Sequence, residues 1–110
     1  MTASPVDKFL QMLEAGRDSA LLRYGLGNEY LKAGDHDAAI SHLTRAVELD
    51  PKYSAAWKLY GRALDAAGRS NDAAGAYEAG MAAARDRGDR QAEREMGVFL
   101  KRIRKSQDLP

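Results

Sequence analysis

The sequence predicts an all-α fold, a stack of about six helices in one domain. Three observations carry that prediction. The chain matches itself when slid by 34 residues. Apolar residues recur at helical spacing within each half of the repeat. The three prolines and ten glycines fall mostly at the edges of those segments, where helices joined by short turns need them.

The self-match comes first, because a missed repeat misreads the whole fold. At an offset of 34, Leu26-Gly27 falls on Tyr60-Gly61, Tyr30 on Leu64 and Gly34 on Gly68. Ala39 falls on Ala73, Leu43 on Tyr77 and Ala46 on Gly80. Large positions meet large ones and small positions meet small ones.

The first helix is expected over about Pro5 to Ala15. Val6, Phe9 and Leu13 match Ile40, Leu43 and Val47 one period on, so it resembles the second half of a unit. The second helix, about Ser19 to Ala33, carries Leu22, Leu26, Tyr30 and Leu31, and Gly34-Asp35 breaks it. Asp35 then serves as N-cap of the third helix, because its carboxylate can accept from free first-turn amides. Ala39, Ile40, Leu43, Ala46 and Val47 form the next stripe. Asp50-Pro51 ends it, since a residue before proline is pushed out of the helical region. The fourth helix, about Pro51 to Ala67, carries Trp57, Tyr60 and Leu64, with Trp57 read as core. After Gly68, one of Ser70, Asn71 or Asp72 is expected to cap the fifth, which carries Ala73, Ala74, Tyr77 and Met81. The sixth, about Asp89 to Lys105, places Met96, Phe99, Leu100 and Ile103 on one face. Met96-Gly97 with Leu100 echoes Leu26-Gly27 with Tyr30, after a spacer two residues longer. The domain thus divides into a capping helix over 5–16, a repeat over 19–51, a second over 52–87, and a half-repeat or cap over 89–105. Degenerate ends of this kind close off stacked repeats.

Gly27 and Gly61 lie in mid-helix, where glycine costs about 1 kcal/mol against alanine. Their shared phase points to close helix–helix approach, which offsets that cost.

The totals bound the function. A 110-residue chain makes one domain, which buries roughly two-thirds of the surface its unfolded chain exposes. Net charge is +1, which gives no sign of nucleic acid or a membrane surface. Cysteine is absent, so there is no disulfide framework, thiolate nucleophile or cysteine zinc site. No apolar run approaches the ~20 residues that span a bilayer. The N-terminal MTASPVDKFLQMLEAG lacks the basic start and apolar stretch of a secretory signal. A cytoplasmic address is expected.

The run Leu26-Gly27…Tyr30…Ala39…Leu43…Ala46…Pro51 resembles one complete tetratricopeptide repeat (TPR) motif. Trp57…Tyr60-Gly61…Leu64…Ala73…Tyr77…Gly80 resembles a second. Two positions depart. Arg85 stands where the closing proline would be, which suits a longer connection needing no immediate stop. Arg23 stands where the family has a large apolar residue. The resemblance is specific over about residues 19–87 and weaker for the flanking helices. It implies a right-handed superhelix of antiparallel helix pairs, a TPR-like α-solenoid. It also implies that the first helix of each pair lines a concave groove, with which family members hold segments of other proteins. Such members are rarely enzymes on their own.

Carried onto this sequence, the resemblance puts Leu21, Tyr24, Asn28, Leu31 and Lys32 on the groove face of the first unit. It puts Ala55, Lys58, Arg62, Asp65 and Ala66 there in the second, and Gln91, Arg94, Val98, Lys101 and Arg102 in the last helix. Lys58 and Arg62 share a helix face by their spacing of four, and Arg94 and Lys101 would add to them. Residues 85–105 hold eight basic and four acidic side chains, so positive charge is concentrated locally. Asn28, Lys58 and Arg62 are similar to the residues with which chaperone-binding members clamp a terminal carboxylate. Tyr24, however, occupies the place of a clamp lysine, and those members use three full repeats. The expectation is a groove for a polypeptide segment, acidic or carboxylate-ended, since guanidinium groups take carboxylates two-pronged. Against it stands the plainer reading of solvated basic residues. Tyr24 and Leu31 are either the apolar anchor of such a groove or half-buried packing residues.

Catalytic and metal chemistry are not expected, and no cofactor is implied. His36 and His42 are six residues apart, on different helix faces, so they do not form a metal pair. Gly25 and Gly27 fall within a helix rather than after a strand, so they are not a phosphate loop. The carboxylates are scattered. Two further partners are weighed. The half-units at the ends could stack on another copy of the chain. Lys101, Arg102, Arg104 and Lys105 could meet nucleic acid, although no aromatic residue is interleaved for base stacking.

Overall fold

Single side chains set most of the helix limits. The computed structural model describes residues 4–108, which form α1 (Pro5–Glu14), α2 (Ala20–Lys32), α3 (His36–Leu49), α4 (Ser54–Ala66), α5 (Ser70–Asp86) and α6 (Arg90–Asp108). Ser4 caps α1 through a reciprocal box: its hydroxyl accepts from the Asp7 amide at 3.1 Å, and its own amide donates to the Asp7 carboxylate at 3.4 Å. Ser19 caps α2 by accepting from the Leu22 amide at 3.0 Å. Asp35 caps α3 by accepting from the Ala38 amide at 3.1 Å, as the sequence predicts. Asp89 does the same for α6, accepting from Ala92 at 3.0 Å.

Four helices stop at a left-handed glycine. Gly34 sits at φ +80, its amide donating to the Leu31 carbonyl while Asp35 donates to that of Tyr30. Gly16, Gly68 and Gly88 repeat the arrangement.

Three expectations are corrected. The fourth helix begins at Ser54, not Pro51. Asp50 holds the intervening residues in a turn: its carboxylate accepts from the Lys52 amide at 3.1 Å and its carbonyl from the Tyr53 amide at 3.1 Å. None of Ser70, Asn71 or Asp72 caps α5. The N-cap is Arg69, which offers no side-chain acceptor, so the first-turn amides go without one. Finally, the connection after α5 is not longer. With Arg85 in place of proline, α5 continues to Asp86, giving 17 residues against 14 in α3, and stops at Gly88. The extra residues extend the helix rather than the loop.

The core follows the repeat columns. Leu26, Leu43, Leu64, Tyr77 and Met96 are fully buried. A Cβ on Gly27 would lie 2.5 Å from Leu43 Cγ. One on Gly61 would strike the Tyr77 ring, with Cδ1 and Cζ at 2.7 Å. Gly80 is wedged between Trp57 and Met96, its Cβ position 2.7 Å from Trp57 Cβ. Burial under Gly61 raises the Tyr77 phenol to about 12. Trp57 is half-buried rather than fully internal. It packs on the core while its indole N–H donates to the Pro51 carbonyl at 2.7 Å.

Arg23 has a polar role in the place of an apolar residue. It grips Asp18 with two bonds, 2.8 and 3.1 Å, and reaches His42 Nδ1 at 3.1 Å. The guanidinium has only donors, so Nδ1 accepts and the neutral ring carries its proton on Nε2. His42 stacks on Tyr30 with centroids 5.5 Å apart. Burial first, then the Arg23 charge, push the imidazole below its ordinary value. This group ties α2 to α3.

Candidate functional site

The curvature of the stack defines its inner face. Along the chain, each helix packs on the next. In addition, α2 touches α4, and α4 touches α6, while among the described residues α1, α3 and α5 do not touch one another. The even-numbered helices are therefore crowded together on the inside, and α2, α4 and α6 form the concave wall.

Lys58 and Arg62 project from α4 one turn apart. The Lys58 ammonium crosses to α6 and donates to Glu95 at 2.8 Å, and the Gln91 amide donates to the same carboxylate at 3.0 Å. The bonds from Lys58 and Gln91, and then the Lys58 charge, hold the Glu95 carboxyl below its ordinary value. Both ends of the pair keep about a third of their side-chain surface in water. A hollow of about 220 Å³ lies beside it, lined by Ser54, Ala55, Lys58, Asp89, Gln91, Ala92 and Glu95. Arg62 is exposed and has no ion-pair partner among the described residues. Asn28 is half-buried on α2.

The other expected groove residues part company. Tyr24 and Leu31 are half-buried and pack against the core. The Tyr24 ring lies 5.2 Å from that of Tyr53. Arg94, Val98 and Lys101 do not gather with Lys58 and Arg62. They line a separate groove of about 500 Å³ with Met81 of α5, Gly97, Leu100 and Arg104. Arg102 lies in a third hollow with Asp65, Ser70 and Phe99. Of the basic run Lys101, Arg102, Arg104 and Lys105, Lys101 and Arg104 line the same groove, Arg102 turns to the third hollow, and Arg104 is paired with Glu78. Sequence reasoning passed over Glu95. The available signal was a carboxylate about one repeat beyond Lys58.

Among the described residues no three His, Asp or Glu side chains gather in a metal-holding group, and no helix is long and apolar enough to cross a membrane.

A helical solenoid with a curved inner wall, its polar side chains presented on alternate helices, is a helical-repeat protein. The tetratricopeptide repeat family profile matches residues 30–93. A TPR repeat-containing protein of Pseudomonas aeruginosa is 56% identical over 93 residues, covering 84% of this chain and 89% of that protein. The solution structure of a Bordetella parapertussis protein superposes with a TM-score of 0.82 at 40% identity, covering 96% of this chain and 91% of that one. A tetratricopeptide repeat domain protein of Salinibacter ruber gives 0.73 at 25% identity, covering 79% and 97%. The chain belongs to the tetratricopeptide repeat family, whose members are in general non-catalytic modules of protein–protein interaction.

Proposed function

We propose that the concave face of α2, α4 and α6 holds a polypeptide segment of another protein, and that a carboxylate on that segment meets Arg62 and Lys58. The observation that carries this is the half-exposed Lys58–Glu95 pair one turn from Arg62, which has no ion-pair partner among the described residues. An ion pair that stays in contact with water is worth only about 1 kcal/mol. Lys58 is therefore oriented by Glu95 without being locked to it, and an incoming carboxylate can join or replace Glu95 at small cost. Arg62 offers its fork on the same face. Asn28 and Gln91 supply amides that can bond the segment's backbone.

The test is capture of partners from lysate of the source cell by wild type beside Arg62→Glu. Lys58→Glu is the poorer variant, because it would set a second carboxylate against Glu95. Hydrogen bonds to charged groups contribute about 1.5–3 kcal/mol. The partner retained by wild type is expected to bind Arg62→Glu at least about tenfold more weakly, with circular dichroism unchanged. Equal retention would place binding away from this face.

A further inference from the structure

The two ends of the stack are complementary. Gly27 and Gly61 each receive a bulky side chain, Leu43 and Tyr77, from the helix that follows. Gly97 stands in the same column of α6, and a Cβ there would meet only Met81 Cε at 3.4 Å. No helix follows α6 among the described residues, and the place such a helix would take is the groove of about 500 Å³ floored by Met81, Gly97 and Leu100. At the other end, among the described residues α1 packs only on α2, whereas α3 and α5 each pack between two neighbours. No residue of α1 is buried. Phe9 stands in the column of Leu43 and Tyr77. One side of its ring meets Gly25, 3.1 Å from the Cβ position. Among the described residues no helix precedes α1, so the side that in α3 and α5 faces the preceding helix meets none there.

We infer that a second copy of this chain docks head to tail, its α1 lying in the α5–α6 groove with Phe9 over Gly97. The pair then reproduces the α2–α3 and α4–α5 hairpins without a covalent turn. Charge supports this occupant over an unrelated helix. The groove itself is lined by Arg94, Lys101 and Arg104 and by no carboxylate, whereas α1 carries two acidic side chains and one basic. The register is specific too. Lys8 stands in the column of His42, and Glu93 in that of Arg23, two residues that touch in the first unit. Docking therefore sets the exposed Lys8 ammonium beside the Glu93 carboxylate, whose Oε2 already accepts from Arg85 at 2.8 Å and whose Oε1 takes no bond among the described residues. Such an interface is heterologous, so it extends into open chains rather than closing at two copies. It buries one helix pair, at the small end of specific interfaces, so association is expected between about 10 µM and 1 mM.

Two variants that leave the fold alone test it. Gly97→Leu fills the slot, and Lys8→Glu sets like charges together while sitting on the exposed face of α1. Sedimentation equilibrium of the wild type is expected to show the average mass rising from 12.0 kDa with concentration and passing two copies. Each variant alone should stay at one copy. Their equimolar mixture should form a dimer and stop there, because only the intact α1 of one meets the intact groove of the other. A wild type that is monomeric throughout would overturn the inference, as would Gly97→Leu assembling like wild type or a mixture that stays monomeric. Neither variant touches Arg62, so this result and the groove-binding result fail independently.

Discussion

At Gly61 a single added methyl group decides the packing of a hairpin. Its Cβ would fall within 2.7 Å of three Tyr77 ring atoms, and the ring is buried in the core. Overpacking of this kind costs about 1–3 kcal/mol, more than the roughly 1 kcal/mol by which alanine outperforms glycine in a helix. Gly61→Ala is therefore expected to destabilise. Gly75 lies within α5 with nothing within 4 Å of its Cβ position, so Gly75→Ala is expected to stabilise by about 1 kcal/mol. Urea unfolding measures both, and shifts in the same direction would contradict the packing. The role of Gly61 was legible in the sequence because the column repeats: glycine faces a large residue in both units. The role of Arg23 was not. Its partners lie outside α2, Asp18 in the loop before it and His42 on α3, and no column of the repeat pairs them. The same limit hid Glu95, whose partner is 37 residues away.

Elements were legible wherever their ends are encoded by one local residue. Asp35 and the four left-handed glycines stand at the limits their chemistry dictates. The start of α5 was misplaced for a physical reason. The cap column of Asp35 passes, 34 residues on, through Arg69 rather than through the polar residues that follow it. With no acceptor at the cap, α5 depends on packing for its first turn. Arg69→Ser would place a hydroxyl at the cap with Asp72 three residues on, the arrangement that Ser4 and Asp7 make at α1. It removes an exposed Arg69–Asp72 pair, worth at most about 1 kcal/mol, and adds a cap typically worth about 1 kcal/mol or more. The helix dipole further favours an uncompensated Asp72 in the first turn. We expect a net gain of about 0.5 kcal/mol in thermal or urea unfolding, and a loss would show that the Arg69 pair outweighs the cap. The length of α5 teaches a related lesson. Arg85 signals only that proline does not stop the helix, and where it stops is decided by Gly88.

At the scale of the whole molecule, the repeat fixes which helices crowd together and so which way the stack bends. That much followed from the 34-residue period and the family it resembles. How the basic residues distribute did not. Arg94 and Lys101 are placed with the α5–α6 groove, and Lys58 with Glu95, because α6 presents different faces to α4 and to the end of the stack. A net charge near zero hides two surfaces with different neighbours. The concave wall is where the family's general role and this chain's unpaired Arg62 coincide. The most direct test is an amide chemical-shift map of the labelled protein titrated with the captured partner segment. The account predicts that shifts cluster on Asn28 of α2, Lys58 and Arg62 of α4, and Gln91 and Glu95 of α6, with the exposed residues of α3 and α5 silent. Shifts confined to α3 and α5, or to the α5–α6 groove, would contradict it.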